Sequence, residues 1–270
     1  MTQTPAPFSP ETTFADIRDH WTFDRDIPYL PESEPDAYRR ERCVLDAFHP
    51  TDGRAGLLVL VHLHGGGLTG GAKGLNDVLQ LLGCVQFTVE YRLSPRVECP
   101  AWIEDAAAAA AWALRHAERF GGDPRRVFVY GESAGAYLAS MLAADRRYLE
   151  AAGAAPEDFL GFATLSGELM THFLVRQAHG VPSHIPVIDE FAPLHYIRAD
   201  FPPFLMLTGG TGREIDCRPA ENKLMRDLLE FAGNRTSAYY ELPSLTHGNI
   251  WYAVLPYLRE FIKERLAAQG

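Results

Sequence analysis

A serine stands between two glycines in the segment GESAG, Gly131 to Gly135, directly after the apolar run RVFVY. Glycines lack a side chain and therefore allow a sharp turn of the backbone. An alanine-rich helical stretch follows, so the serine lies at a strand-to-helix turn. Such a turn exposes the hydroxyl at the edge of a sheet, beside the partial positive charge and free N–H groups of a helix N-terminus. Ser133 is therefore the candidate nucleophile.

A glycine-rich loop is the second candidate element. The run LLVLVHL leads into HGGG, which begins at His64 and ends at Gly67. Consecutive glycines let the backbone approach a bound carbonyl and direct N–H groups toward it. Together with the serine turn, this loop predicts an oxyanion hole formed by the N–H groups of Gly66, Gly67 and Ala134. His64 itself is interpreted as a packing or loop-bracing residue rather than a base.

A serine hydroxyl is a poor nucleophile near neutral pH and needs an adjacent base. His247 stands in the loop LPSLTHGN, between the strand-like segment SAYYEL and the last helical stretch. In folds that present a serine at such a strand-to-helix turn, the base comes last along the chain and the acid lies between nucleophile and base. This order predicts His247 as the general base. Six other histidines are interpreted as structural or surface groups: His62, His116, His172, His179, His184 and His195.

The acid that should orient the imidazole lies after the strand-like segment FPPFLMLTG, in the loop GGTGREIDCRP. The position three residues past the strand-ending glycine is occupied by Gly212, which cannot serve as an acid. Two candidates remain, and we favour Glu214 with Asp216 as the alternative. Arg213 and Arg218 are interpreted as partners in surface ion pairs.

The elements that must position these residues alternate between short apolar strands and helices. The strand-like segments are CVLDAF, LLVLVHL, VQFTVEY, RVFVYG, LGFATLS, FPPFLMLTG and SAYYEL. The helical stretches run from Trp102 to Arg119, Ala134 to Arg147, Pro219 to Ala232 and Trp251 to Ala268. This alternation predicts an α/β fold with a mostly parallel central sheet and helices on both faces.

The chain of 270 residues fits a single domain over 1–270. Residues 1–40 are rich in proline and acidic groups and are predicted to form an N-terminal arm whose aromatic residues pack on the body. Residues 167–199 interrupt the strand–helix alternation with scattered prolines and histidines. They are predicted to form a lid-like insertion, either a true lid or a helical excursion over the sheet edge.

Composition limits the partners. A formal net charge of −10 disfavours nucleic acid and anionic membranes, because both bind basic surfaces. The four cysteines, Cys43, Cys84, Cys99 and Cys217, lie far apart and favour reduced thiols over disulfides or a zinc site. The polar N-terminus lacks the pattern of a secretory signal, so we expect a cytoplasmic location. Oligomeric state stays open, including a homo-oligomer.

With these residues, the chain resembles the HGGG-type bacterial carboxylesterases of the α/β-hydrolase superfamily, near the hormone-sensitive-lipase-like and feruloyl-esterase-like enzymes. The segments HGGGLTGG, EYRLSP and GGDPRRVFVYGESAG and the terminal THG carry the resemblance. It implies an α/β-hydrolase fold with a small lid-like insertion. Relatives often show a GDRELE-like loop, whose second glutamate aligns with Glu214 and whose first aligns with Gly212. Ala136 departs from the second glycine that many relatives have after SAG.

The expected function is hydrolysis of carboxylic esters of small or short-acyl acids through an acyl-enzyme on Ser133, without metal or organic cofactor. An amide or formamide hydrolase similar to kynurenine formamidase is the alternative, because the same residues serve both leaving groups. A non-catalytic ligand-binding homologue is the remaining alternative. Such homologues typically lose a member of the catalytic set, whereas Ser133 and His247 are both present here.

Overall fold

A computed structural model describes residues 13–75 and 77–268. These residues form one eight-stranded sheet. Its strands are β1 (Trp21–Pro28), β2 (Val44–Pro50), β3 (Leu57–Leu63), β4 (Val85–Val89), β5 (Gly122–Glu132), β6 (Gly161–Leu165), β7 (Phe204–Gly209) and β8 (Ser237–Leu242).

The spatial order of the strands is β1-β2-β4-β3-β5-β6-β7-β8. Strand β2 pairs antiparallel with both β1 and β4, and every pairing from β4 through β3 to β8 is parallel. The carboxyl ends of parallel strands meet at one edge of a sheet, where ligands bind in open α/β folds. The loops that follow β3, β5, β6, β7 and β8 therefore converge at that edge.

Helices fill the connections. They are α1 (Phe14–His20), α2 (Ala37–Arg42), α3 (Asp77–Gln80), α4 (Ala101–His116), α5 (Ala134–Ala144), α6 (Arg146–Ala151), α7 (Phe173–Ala178), α8 (Arg218–Phe231) and α9 (Val254–Ala267). Short 3₁₀ helices cover Ala117–Phe120, Pro156–Asp158, Pro193–Tyr196 and Ile250–Ala253. Within the described ranges, every helix is too short or too polar to cross a bilayer.

Both faces of the sheet are covered by apolar side chains. Val59 and Val61 of β3 pack into the larger core together with residues of α4, α5 and α8. Leu58 and Leu60 face the opposite side, where they pack in a second core with residues of α3, α9 and the neighbouring strands. Because successive strand residues point to opposite faces, a strand buried on both sides needs an uninterrupted apolar run. LLVLVHL is such a run apart from His62, which is also buried.

The predicted strand–helix alternation agrees with this architecture, and each of the seven strand-like segments overlaps an observed strand. The eighth strand, β1, lies within the segment predicted as an extended arm. Ring stacking explains its place, since Trp21 and Phe23 pack on Phe48 of β2 at centroid distances of 4.8 and 4.9 Å. Residues 1–12 of the predicted arm lie outside the described residues.

Candidate active site

Ser133 follows β5 directly and is the residue before α5. Its backbone has φ +51° and ψ −113°, a conformation that residues with a side chain rarely adopt. The flanking glycines allow the chain to turn here without steric overlap. A Cβ at Gly131 would lie 2.1 Å from the carbonyl oxygen of Gly135, and a Cβ at Gly135 would lie 2.0 Å from that of Leu63. The hydroxyl is thus held at the carboxyl edge of the sheet.

His247 lies in the loop after β8. Its Nε2 is 3.1 Å from Ser133 Oγ, within hydrogen-bonding distance. Asn249 shapes the loop, because its side-chain oxygen accepts a hydrogen bond from the Thr246 N–H at 2.7 Å. The imidazole side chain keeps 32% of its surface exposed and so faces both the serine and the open pocket.

Glu214 completes the chain of contacts, with Oε1 at 2.6 Å from His247 Nδ1. Its side chain is fully buried. The same carboxylate accepts hydrogen bonds from the Ser166 hydroxyl and from the N–H groups of Gly209 and Ile215. Burial raises the pKa of Glu214, but the hydrogen bond with His247, followed by those from the Ser166 hydroxyl and the Ile215 N–H, outweighs burial and lowers that pKa to about 2.

Asp216, the alternative acid, is exposed. The structure therefore brings Glu214, and not Asp216, to the imidazole. A turn explains why Glu214 and not Asp216 reaches the imidazole. The N–H groups of Arg213 and Glu214 both donate to the Gly210 carbonyl, at 2.8 and 3.0 Å. This turn directs the glutamate side chain back toward the sheet edge.

The HGGG loop follows β3 and lies across from the serine. Gly66 and Gly67 have φ values of +118° and +63°, which glycine adopts without strain. A Cβ at Gly66 would lie 2.2 Å from the Gly70 carbonyl oxygen. Among hydrogen bonds between described residues, none uses the N–H of Gly66, Gly67 or Ala134 as donor. These three groups are thus available to a bound oxyanion.

His64 is buried beneath this loop. Its ring stacks on Tyr91 at a centroid distance of 4.3 Å, and its Nδ1 lies 2.6 Å from the Gly65 carbonyl oxygen. Burial lowers the pKa of His64 to about 4, so the ring is neutral near pH 7. These contacts agree with a loop-bracing role for His64.

A pocket of about 610 Å³ opens above Ser133. Two residues of the segment 167–199, His172 and Phe173, contribute to its wall. Phe173 Cζ lies 3.7 Å from the position that a Cβ at Gly67 would occupy, so this ring narrows the space beside the loop. The other apolar lining residues are Leu165, Ile215, Ile250 and Trp251.

The structure corrects the interpretation of Arg218 and brings a further residue, Ser166, to the site. Arg218 was predicted to make a surface ion pair, and this is wrong: it is 6% exposed and donates to the Ser166 carbonyl at 2.9 Å and to Glu168 at 3.4 Å. The position of Arg218 at the start of α8, under the segment 167–199, causes its burial. Sequence reasoning missed Ser166. Its position as a polar residue directly after an apolar parallel strand is a sequence signal that could have indicated a place at the site.

Glu132, next to Ser133 in the chain, also lines the pocket. Burial raises the pKa of its carboxyl group.

Over residues 13–75 and 77–268, no group of three or more histidine, cysteine, aspartate or glutamate side chains is arranged to hold a metal ion.

Comparison with known proteins gives consistent matches. The α/β-hydrolase fold family matches residues 60–164. The chain is similar to esterase LipI of Mycobacterium tuberculosis, with 36% identity over 232 residues that cover 78% of this chain and 71% of LipI. It is also similar to carboxylesterase NlhH of the same bacterium, with 29% identity and coverage of 90% and 86%. Esterase LipQ of that bacterium is longer, and the matched region spans 56% of its length.

Solved structures give the same fold. Esterase B of Lactobacillus rhamnosis superposes with a TM-score of 0.70 at 18% sequence identity. The superposition covers 93% of this chain and 91% of esterase B. At this identity the likeness concerns the fold alone.

Proposed function

This chain belongs to the α/β-hydrolase family, and on that premise we propose that it is a serine carboxylesterase with Ser133 as nucleophile. The observation that carries the proposal is the contact chain from Ser133 Oγ to His247 Nε2 at 3.1 Å and from His247 Nδ1 to Glu214 at 2.6 Å. This is the nucleophile–base–acid arrangement that activates a hydroxyl.

In the first step, Ser133 Oγ attacks the ester carbonyl carbon while His247 Nε2 takes the hydroxyl proton. The carbonyl oxygen becomes an oxyanion, and the N–H groups of Gly66, Gly67 and Ala134 donate hydrogen bonds to it. The carboxylate of Glu214 stabilises the protonated imidazole. Collapse of the tetrahedral intermediate breaks the C–O bond, and the alcohol leaves with the proton from His247.

In the second step, water enters the vacated leaving-group site. His247 removes a proton from this water as its oxygen attacks the acyl carbonyl of the Ser133 ester. A second tetrahedral oxyanion forms at the same N–H groups, and its collapse releases the carboxylic acid and returns the proton to Ser133 Oγ.

We propose esters of small or short-chain acids as substrates. The pocket of about 610 Å³ and the Phe173 ring beside Gly67 support a limited acyl length. The named relatives are esterases and carboxylesterases, so the comparisons do not favour the amide or formamide alternative. Turnover of p-nitrophenyl acetate against N-formylkynurenine compares the two reactions directly.

The test of the proposed function is covalent labelling combined with turnover. The wild type should react with a fluorophosphonate probe and hydrolyse p-nitrophenyl acetate, and Ser133→Ala should lose both, with kcat reduced by about six orders of magnitude. Ser140→Ala is the matched control, because Ser140 is fully buried and its hydroxyl donates to a helix carbonyl, that of Ala136. An active, probe-labelled Ser133→Ala protein would overturn the proposal.

We also propose that residues 1–270 act as one domain, with an N-terminal arm over 1–40 and a lid-like insertion over 167–199. Strand β1 of the arm lies in the common sheet, and Phe173 of the insertion lines the pocket, which supports both assignments. Limited proteolysis tests them: cleavage within 167–199 should alter turnover before the sheet unfolds.

A cytoplasmic location and the lack of nucleic-acid and membrane partners are also part of the proposal, whereas the oligomeric state is left open and includes a homo-oligomer. The four cysteines are free thiols, which supports a reducing compartment. Cell fractionation tests the location, and light scattering of the purified protein tests the oligomeric state.

A further inference from the structure

We propose that Ser166 is a positioning residue for the esterase reaction and that it acts by holding the carboxylate of Glu214. This inference rests on the proposed function. Ser166 comes directly after β6 and is 1% exposed. Its hydroxyl donates to Glu214 Oε2 at 2.5 Å.

The backbone of Ser166 is held in a strained conformation. Its φ of +56° resembles the +51° of Ser133 at the end of the neighbouring strand β5. Such conformations cost free energy and persist where the surroundings enforce them, often at functional sites. Here the Ser166 N–H donates to the Leu207 carbonyl at 2.8 Å, and the Ser166 carbonyl accepts from Arg218 Nη1 at 2.9 Å. The side chain is therefore aimed from a fixed position.

The same peptide also holds the nucleophile. The carbonyl of Leu165, next to Ser166, accepts a hydrogen bond from the Ser133 N–H at 2.8 Å. The dipeptide 165–166 thus contacts the nucleophile through its backbone and the acid through its side chain. Displacement of this strand end would change the position of Ser133 and of Glu214 together.

The hydroxyl of Ser166 complements the contact with His247. One oxygen of Glu214, Oε1, faces His247 Nδ1, and the other, Oε2, accepts from Ser166 and from the Gly209 N–H at 3.1 Å. A hydroxyl hydrogen bond to a carboxylate is charge-assisted and directional. Removing it leaves only Gly209 on Oε2, so the carboxylate gains freedom to rotate away from the imidazole. Glu214 then orients His247 less well.

The test begins with Ser166→Ala, assayed with p-nitrophenyl acetate. We expect kcat to fall about ten-fold, the loss that one charge-assisted hydrogen bond supports, with KM nearly unchanged because Ser166 acts through Glu214. The proton resonance of His247 Nδ1–H should shift as well, which a purely structural loss would not cause. Ser140→Ala, an equally buried serine that donates to a carbonyl, should keep kcat within about two-fold of wild type.

A double variant separates this route from a general loss of structure. In a Glu214→Gln background, Ser166→Ala should cost less than about two-fold, because the group it positions is already altered. Equal losses in both backgrounds, or a kcat like that of Ser140→Ala, would overturn the inference. If Ser166→Ala does not fold, Ser166→Gly replaces it, because glycine accepts a positive φ and also lacks the hydroxyl.

The two proposals fail in different ways. Retained activity in Ser133→Ala contradicts the proposed function itself. Loss of activity in Ser133→Ala together with wild-type kcat in Ser166→Ala contradicts only the role of Ser166.

Discussion

Ser133 Oγ and His247 Nε2 lie 3.1 Å apart although 114 residues separate them along the chain. Neither residue is held by its own loop alone. Ser133 follows the central strand β5, and His247 follows the edge strand β8, so the sheet between them fixes the distance. The contact between Ser133 and His247 therefore depends on the sheet as well as on the two side chains.

The two candidate acids should differ sharply on substitution. Glu214→Gln keeps the shape but loses the charge beside His247 Nδ1, so kcat for p-nitrophenyl acetate should fall about 1,000- to 10,000-fold. Asp216→Asn, in the same loop but exposed, is the matched control and should stay within about two-fold of wild type. Wild-type kcat in both variants would exclude Glu214 as the acid.

Acid should weaken the contribution of Glu214 to folding. Its pKa in the folded protein is lowered to about 2, against about 4.3 in an unfolded chain. A lowered pKa stabilises the fold above the unfolded value, and this stabilisation is lost as pH falls from about 4 toward 2. Urea unfolding of wild type and Glu214→Gln at pH 7 and pH 3 measures it. The difference in the free energy of unfolding should shrink at pH 3, by on the order of 2 kcal/mol at most.

The oxyanion loop should not tolerate a side chain at Gly66. Gly66→Ala would bring a Cβ to 2.2 Å from the Gly70 carbonyl oxygen and would displace the loop. We expect kcat to fall about 100- to 1,000-fold, as for loss of an oxyanion donor, with a lower melting temperature. Gly74→Ala is the control, since a Cβ there has no neighbour within 4 Å. Equal kcat in the two variants would argue against this loop as the oxyanion hole.

The ring of Phe173 should limit acyl length. Phe173→Ala removes the ring beside Gly67 and enlarges the pocket. The ratio of kcat/KM for p-nitrophenyl octanoate to that for the acetate should rise about ten-fold, because the longer chain gains space and apolar contact. Phe231→Ala, 92% exposed on α8, provides the control and should leave the ratio unchanged. An unchanged ratio in Phe173→Ala would mean that the acyl group binds elsewhere in the pocket.

The sequence identified the fold class and the type of enzyme, and relatives such as LipI and NlhH confirm a carboxylesterase-type α/β hydrolase. The glycine motifs allowed this inference because they directly follow apolar strand-like segments, where the backbone must turn sharply. The turn around Ser133 leaves no room for a Cβ at positions 131 and 135, so only glycine fits there. This requirement is visible in the sequence as the two glycines that flank the serine. The catalytic roles of the individual residues remain predictions.

Other features could not be predicted from the sequence because no local pattern encodes them. Strand β1 has little alternation, and its place depends on rings of β2 that lie later in the chain. Arg218 looked like a surface residue because its burial depends on the segment 167–199, which folds over it.

The sequence by itself determined the order of the elements and the residues at the strand ends, because hydrophobic periodicity and glycine requirements are local properties of the chain. Only the tertiary structure decided which carboxylate meets His247 and which hydroxyl braces that carboxylate. Glu214 and Asp216 are two residues apart in one loop, and the turn anchored on Gly210 sends the first inward while the second is exposed. Ser166 reaches Glu214 because β6 and β7 are neighbours in the sheet, a relationship between distant segments that only folding creates.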